Sequence, residues 1–157
     1  MVKKSCLFLD TIQNKIDAKL RVSVPGSFRA VLDEMNTELI LYASFKHPCL
    51  EGMTGDMLEV LAQGIYEQYD MFSEEESDLT SLIFAESRVF PLDSTGRLTL
   101  LPKLIEHAEL TDTALFVGKG KTFQIWNPDL FAKEQQKVRE KMKTRPLTFR
   151  LKKETNE

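Results

Sequence analysis

The sequence has very few of the residues that build metal centres and disulfide frameworks. Among its 157 residues there are two cysteines and two histidines. Cys6 and Cys49 lie far apart, and neither belongs to a CxxC motif. This pattern argues against a metal site and predicts two unpaired thiols in a reducing, cytosolic compartment. We expect neither a metal nor any other cofactor.

Long apolar runs are also lacking. No window approaches about 18 uninterrupted apolar residues, the length that a membrane-spanning helix requires. The basic N-terminus is followed by a short apolar run that ends at Asp10, which is too short for a signal peptide. With 42% hydrophobic and 29% charged residues, the composition is that of a soluble globular protein. We expect a cytoplasmic protein with no membrane partner.

Positive charge is missing from the middle of the chain. Residues 51–86 carry ten Asp or Glu and no Lys or Arg. Residues 1–30 carry six basic and two acidic side chains, and residues 87–157 carry fourteen and nine. Attraction to a polyanion depends on the local patch rather than on the net charge of −3. The acidic total therefore does not exclude a nucleic-acid partner.

One short segment occurs twice. Asp17 to Pro25 aligns without a gap on Asp93 to Leu101, 76 residues later. Each copy has an aspartate, an arginine four positions on, and an alternation of apolar and hydroxyl residues that predicts a half-buried strand. After the first copy the pattern predicts a helix at 27–35 and a return strand at 38–43. After the second copy it predicts a helix at 103–108 and a return strand at 114–117. Two fused halves would share a core, because a unit of about 50 residues alone buries too little apolar surface.

The segments between and beside the repeats have weaker patterns. Gly118 to Lys121 predicts a tight hairpin turn with a strand returning over 122–126, and residues 45–51 occupy the same place in the first copy. Apolar residues at helical spacing predict a helix over 54–69. We expect an acidic linker or helix start at 74–78 and a strand at 82–85.

The C-terminal part begins with a clear helix signal. Asn127 is a capping residue and Pro128 fits the first helical turn, so a helix is predicted to run to about Met142. Its apolar face is partial and several lysines surround it. A basic tail follows from Arg145 to Lys153.

The two Asp/Arg pairs, Asp17 with Arg21 and Asp93 with Arg97, are the sharpest candidate site. An acid and a base four residues apart can brace a turn and present a guanidinium, whose planar fork can bind a phosphate or the guanine O6/N7 edge. The alternative is that each pair only holds its turn, an exposed interaction that stabilises little. Spacing alone favours this second interpretation.

With their flanking residues, the two copies resemble the MraZ family. Its two repeats are related to the AbrB and SpoVT DNA-binding half-domains, and each bears a D-x-x-x-R motif, commonly with a proline four residues after the arginine. The matching positions here are Asp17, Arg21 and Pro25, then Asp93 and Arg97. Residues 22–32 and 125–128 are also similar, and the resemblance extends from residue 5 to about 140.

Two positions depart from the family pattern. Leu20 stands where the family usually has a glycine before the arginine, whereas Gly96 keeps it. Leu101 stands where proline is usual, and Pro102 comes one place late. Both departures concern the geometry of the turn rather than the presence of the arginine.

The resemblance implies an α+β, β-dominated fold of two tandem AbrB-like repeats, which form one pseudo-two-fold, β-barrel-like unit with flanking helices. The implied organisation is repeat 1 at 5–52, a connecting helix and acidic linker at 53–80, repeat 2 at 81–126, and a C-terminal helix and basic tail at 127–157.

The function that the resemblance implies is transcription regulation, and not an enzymatic activity. The family members are cytoplasmic, nucleoid-associated, ring-shaped homo-oligomers that bind repeated short boxes of double-stranded DNA near the start of the division and cell-wall gene cluster, including their own promoter. By analogy, Arg21 and Arg97 would face DNA, braced by Asp17 and Asp93. Lys19 and Arg29 are added on charge and proximity. No small-molecule substrate is implied.

Other interpretations remain open. An AbrB-like module of the antitoxin type would use its C-terminal helix and tail to bind a protein, with weak or no DNA binding. Gly120-Lys121-Thr122 imitates the end of a phosphate-binding loop, but Leu115 stands where the required upstream glycine should be, so a phosphoryl-transfer enzyme is a distant third. The two histidines lack partners for catalysis. Trp126 is expected in the core rather than stacked on a base.

Overall fold

The computed structural model describes residues 6–145 and 147–151, and over these residues the chain forms eight strands and five helices. The basic start at residues 1–5 and parts of the predicted tail, residues 146 and 152–157, lie outside the described residues. The strands are β1 (Thr11–Lys15), β2 (Arg21–Ser23), β3 (Leu39–Ala43), β4 (Leu50–Thr54), β5 (Arg88–Phe90), β6 (Arg97–Thr99), β7 (Thr113–Gly118) and β8 (Phe123–Trp126). The helices are α1 (Gly26–Glu34), α2 (Gly55–Gln68), α3 (Glu74–Ile83), α4 (Pro102–His107) and α5 (Pro128–Thr144).

Six strands form one antiparallel sheet in the order β1-β7-β8-β4-β3-β5, and β2 pairs with β6 in a separate two-stranded ribbon. The order reads the same backwards when β1 is exchanged with β5, β3 with β7, and β4 with β8. The first strand of each half therefore pairs with the return strand of the other half. The chain is thus an α+β molecule whose two halves share one sheet.

The main core lies between one face of this sheet, the helices α1 and α4, and the ribbon. Its centre is a cluster of aromatic rings in which Phe28 of α1 lies 5.2 Å from Phe8, 5.2 Å from Phe123 and 6.1 Å from Phe116, centroid to centroid. All four side chains are at most 1% exposed. Burial of one such ring contributes about 1.5–3 kcal/mol, so this cluster fixes the helix against both halves of the sheet.

The opposite face of the sheet is covered by the remaining helices. Because side chains alternate along a strand, Leu39 and Leu41 enter the main core while Ile40 and Tyr42 point the other way, under α2 and α3. Farther along the sheet, Trp126 and its neighbours pack against the first turn of α5. The ribbon and the outer helices therefore lie on opposite sides of the sheet.

Several predicted elements are confirmed. The helix expected over 54–69 is α2, and the helix expected from Asn127 to about Met142 is α5. The Asn127 side chain accepts hydrogen bonds from the backbone of Asp129 and Leu130, as a capping residue should. The predicted hairpin also exists, with Gly120 at φ +86°.

The strand expected at 82–85 is wrong, because these residues finish α3 and the turn after it. The Ser73 hydroxyl accepts a hydrogen bond from the backbone of Glu76, and three glutamates occupy the first helical turn. Ile83 and Phe84 pack against α2. The apolar run is therefore the buried face of a helix, and the strand comes later, as β5.

The strand that follows the turn in the first half, β4, begins later in the sequence than expected. Residues 45–51 were expected to hold both turn and strand, but β4 begins at Leu50 and ends at Thr54. Thr54 both ends this strand and caps α2, since its hydroxyl accepts a hydrogen bond from the Met57 backbone at 3.1 Å. At the repeated motif, the regular strands are also shorter than predicted, and cover only 21–23 and 97–99.

Candidate nucleic-acid interface

The two D-x-x-x-R arginines lie on the antiparallel ribbon of β2 and β6. The paired residues are Arg21 with Thr99, Val22 with Leu98, and Ser23 with Arg97. Val22 and Leu98 are buried beneath the ribbon. Since side chains alternate between faces, Arg21 and Arg97 share the opposite face, where about a third of each side chain is exposed. The structure therefore places both guanidinium groups on a common side.

Each aspartate holds its arginine at two points. Asp17 accepts hydrogen bonds from the backbone amide of Arg21 at 2.9 Å and from its Nε at 2.7 Å. Asp93 accepts the same two bonds from Arg97, at 3.0 Å and 2.9 Å. These bonds use Nε and neither terminal nitrogen, so the two Nη groups of each fork can donate to another acceptor.

The pKa of both aspartates is lowered, chiefly by a hydrogen bond from the backbone amide of the partner arginine. For Asp93 a hydrogen bond from the Thr95 hydroxyl is the next cause. The carboxylates therefore remain ionised at neutral pH, and the braces persist. The charge of the ribbon does not change over the physiological pH range through these groups.

The two turns have the same backbone geometry although one has leucine where the other has glycine. Leu20 has φ +64° and Gly96 has φ +80°. In each turn this residue donates its amide to the aspartate carbonyl at 3.0 Å. Leu20 accepts the left-handed conformation, which costs an ordinary residue about 1–2 kcal/mol. The departure at Leu20 therefore leaves the turn unchanged.

The departure at Leu101 is likewise without effect on the helix that follows. α1 starts after Pro25 and α4 starts after Leu101, so both helices begin at the same distance from their arginines. The Pro25 carbonyl accepts from Phe28 at 2.9 Å, and the Leu101 carbonyl accepts from Leu104 at 3.0 Å. Pro102 fits the first turn of α4, where its missing amide hydrogen is not needed.

Arg29 belongs to α1 but reaches the turn of the second copy. Its Nε donates to the Val24 carbonyl at 3.1 Å. Its side chain crosses the backbone of Gly96 so closely that a Cβ there would lie 2.6 Å from Arg29 Cδ. Lys19 is exposed in the first turn, where its amide donates to Asp17. All four predicted basic residues thus lie at the ribbon and its turns.

Sequence reasoning missed two hydroxyl groups at this surface. Ser23 and Thr99 are exposed and share the arginine-bearing face of the ribbon. In the sequence these two residues served only to predict a half-buried strand, and not to predict a contact with DNA. The alternation that places Val22 and Leu98 inside also places these hydroxyls outside, so the signal was present in the sequence.

The other candidate motifs belong to the scaffold. Gly120 and Lys121 form the β7–β8 hairpin and lead into a strand, whereas a phosphate-binding loop leads into a helix. Trp126 is 2% exposed and donates its indole N–H to Gln124 Oε1 at 2.8 Å.

Across 6–145 and 147–151, no group of three or more His, Cys, Asp or Glu residues is placed to hold a metal. None of the described helices combines the length and apolar character that a bilayer crossing requires.

Comparison with known proteins gives consistent matches. The family model described as "MraZ protein, putative antitoxin-like" matches residues 83–151. The chain is 42% identical over 142 residues to the transcriptional regulator MraZ of Gluconobacter oxydans (strain 621H). This alignment covers 88% of this chain and 86% of the relative. It is 40% identical to the protein of that name from Pelagibacter ubique (strain HTCC1062), over 86% and 87% of the two chains. A third transcriptional regulator MraZ, from Rickettsia canadensis (strain McKiel), is 41% identical over 81% of this chain and 85% of the relative. By this identity and coverage, the chain belongs to the MraZ family of transcriptional regulators.

Proposed function

We propose that this chain regulates transcription by binding double-stranded DNA through the β2–β6 ribbon. The observation that carries the proposal is the ribbon register, which puts Arg21 and Arg97 on one exposed face. A two-stranded ribbon is narrow enough to enter the major groove, which is about 12 Å wide. Two arginines held on such a ribbon can contact base edges, while Lys19 and Arg29 at its ends can contact phosphates.

The aspartate braces support this role because they limit the movement of the arginine forks before DNA arrives. A side chain already held in its binding geometry loses less conformational entropy on binding than a free one. Both arginines are braced in the same way, at the backbone amide and at Nε. Backbone hydrogen bonds already close each turn, from Asp17 to the Arg21 carbonyl and from Asp93 to the Arg97 carbonyl, both at 2.9 Å. The bond from Nε therefore holds the side chain rather than the turn.

The fold proposal is finer than the observed α+β architecture. We infer two AbrB-like halves, at 5–52 and 81–126, packed as one pseudo-two-fold, barrel-like unit, with 53–80 as the connection and 127–157 as an appended helix and tail. The strand order that reads the same in both directions supports it. So do the matching hydrogen bonds of the two turns.

Self-association is part of the same proposal. One copy offers few cations, and each phosphate contact changes the slope of log affinity against log salt by about −0.9. Several copies in a ring, on repeated DNA boxes, would add avidity through effective concentration. The proposed targets are boxes upstream of the chain's own gene and its division and cell-wall cluster, in a cytoplasmic, nucleoid-associated setting.

The test is binding to the DNA upstream of the gene, measured by fluorescence anisotropy at two salt concentrations. Arg21→Ala with Arg97→Ala should weaken binding to this DNA at least about tenfold and reduce its preference over an unrelated duplex, because the lost contacts are to base edges. Lys19→Ala should instead make the salt slope shallower by about 1, because it removes a phosphate contact. Lys46→Ala with Arg88→Ala removes two exposed charges from elsewhere on the molecule and should leave binding nearly unchanged. Equal binding by wild type and the double arginine variant would refute the proposal.

An antitoxin-type interaction module is the second candidate, and the description of the matching family model favours keeping it. In that case the chain would bind a protein through its C-terminal helix and tail, DNA binding would be weak or absent, and the double arginine variant would behave as wild type. The same anisotropy experiment therefore separates the two functions. We propose no enzymatic activity.

A further inference from the structure

Helix α5 leaves the body of the protein after Glu134, whose carboxylate lies 4.0 Å from His47 Nδ1. Phe131 packs on Trp126 with ring centroids 5.6 Å apart, and Leu130 joins the same cluster. Every residue from 135 to 145 is exposed. A helix of this length has little stability of its own in water. The exposed half also carries Val138 and Met142, each more than two-fifths exposed, which gives it an uncovered apolar side.

The segment after α5 continues this uncovered apolar surface. Leu147, Phe149 and Leu151 are 66%, 86% and 85% exposed. They alternate with polar residues, so an extended backbone would place all three on one side. Residues 128–151 carry seven Lys or Arg and three Asp or Glu. This C-terminal segment therefore combines exposed apolar side chains with positive charge.

A surface of the opposite kind lies on the α2–α3 hairpin. A groove between these helices has a volume of about 180 Å³ and is lined mainly by Ala62, Ile65, Tyr66, Met71 and Phe84. Tyr66 is 65% exposed and Met71 is 59% exposed. Phe72, at the connection between the helices, is 90% exposed. The hairpin thus offers an apolar groove of a size that fits one or two side chains.

The groove lies in an acidic hairpin. Residues 55–86 carry nine Asp or Glu and no Lys or Arg, and Glu76 lines the groove itself. A largely apolar groove in an acidic hairpin is complementary in charge to an apolar segment with basic neighbours. Both surfaces belong to this chain, and each is exposed when the chain is alone.

We propose that α5 and residues 147–151 of one copy dock in the α2–α3 groove of a second copy. The two surfaces differ, so the contact is head to tail, and successive contacts close into a ring or continue as a filament. This inference specifies the partner and surface of the self-association proposed above. It does not depend on DNA binding.

The first test is the mass of the full-length protein in solution without DNA, measured by light scattering after size exclusion. Wild type should be oligomeric, and Phe149→Ser should shift the mass toward monomer. Thr148→Ser, on the alternate side of the same segment, should leave the mass unchanged. In the groove, Tyr66→Ser should dissociate the oligomer, and Val60→Ser on the same helix should not. Oligomers should weaken as salt rises, because the contact is partly electrostatic.

Mixing two variants tests the head-to-tail geometry. The Phe149→Ser chain keeps its groove and the Tyr66→Ser chain keeps its tail, so an equimolar mixture should form a one-to-one dimer and stop there. A mixture that stays monomeric, a wild-type monomer, or a Phe149→Ser chain that assembles normally would overturn the proposal. Glu74→Lys with Glu75→Lys, in the first turn of α3 beside Glu76, reverses charge near the groove and keeps its apolar lining, and it should also dissociate the oligomer.

The two proposals fail separately. If the oligomer survives Phe149→Ser and Tyr66→Ser while Arg21→Ala with Arg97→Ala loses DNA, only the docking surface is wrong. If the mass data are as expected and the arginine variants still bind DNA normally, only the ribbon proposal is wrong.

Discussion

Asp17 and Asp93 do more than neutralise a neighbouring charge, because each fixes both the backbone and the side chain of its arginine. The sequence predicted the two pairs, and the family resemblance implied that both arginines face DNA. It could not predict that Nε, rather than the fork ends, would take the carboxylate, since this depends on the turn conformation. Spacing also gave no signal that Arg29 would cross to Gly96, because that contact joins distant parts of the chain.

Asp93→Asn should separate bracing from simple electrostatics. The substitution removes a negative charge beside the proposed DNA surface, so attraction alone predicts tighter binding. Loss of the charged hydrogen bond to Arg97 should instead weaken specific binding by about tenfold. Anisotropy with the upstream DNA and with an unrelated duplex measures both effects. Tighter binding to the upstream DNA would contradict a bracing role.

The lowered pKa of Asp17 and Asp93 predicts an acid dependence of stability. A carboxyl whose pKa is lower in the folded state stabilises the protein above its unfolded-state pKa of about 4. This stabilisation is lost as the pH falls from there toward the folded-state value. Asp17→Asn with Asp93→Asn should therefore make the urea-derived free energy of unfolding less dependent on pH below about 4. Asp33→Asn, outside the turns, is the control, and an unchanged pH dependence in the double variant would contradict the prediction.

Secondary-structure elements with strong local signals were predictable and those that depend on distant partners were not. Asn127 and Pro128 marked the start of α5, and helical spacing marked α2. The short run at 82–85 was mistaken for a strand because four apolar residues fit either structure. β1 was missed because its partner is β7, about 100 residues away, with Thr11 opposite Val117.

Gly96→Ala tests the interlocked turn. Alanine at φ +80° is strained, and its Cβ would meet the Arg29 side chain. We expect a loss of about 1–3 kcal/mol in the free energy of unfolding, measured by urea denaturation. Leu20→Ala keeps a Cβ at the equivalent position, where φ is already +64°, and adds no such strain. Equal losses in the two variants would show that neither the positive φ nor the Arg29 contact makes Gly96 special.

The molecule segregates its charge by surface. The ribbon and the C-terminal segment are basic, and the α2–α3 hairpin carries acid without any compensating base. The charge blocks were evident in the sequence, but their positions depend on a sheet in which the first strand of each half pairs with the other half. The two arginines meet on one ribbon only because β2 pairs with β6 across 76 residues.

Protection of a thiol on the ribbon is the most direct test that this face contacts DNA. Ser23→Cys in a Cys6→Ser background places one exposed thiol on the arginine-bearing face, while Cys49 is buried and its pKa is raised by burial. Bound upstream DNA should slow alkylation of the thiol at position 23 by about tenfold or more. At saturating DNA the site is covered almost all of the time, and a covered thiol cannot react. Val60→Cys on α2, in the same background, should react at the same rate with and without DNA. If DNA is bound and the ribbon thiol still reacts at its free rate, the ribbon is not the DNA-binding surface.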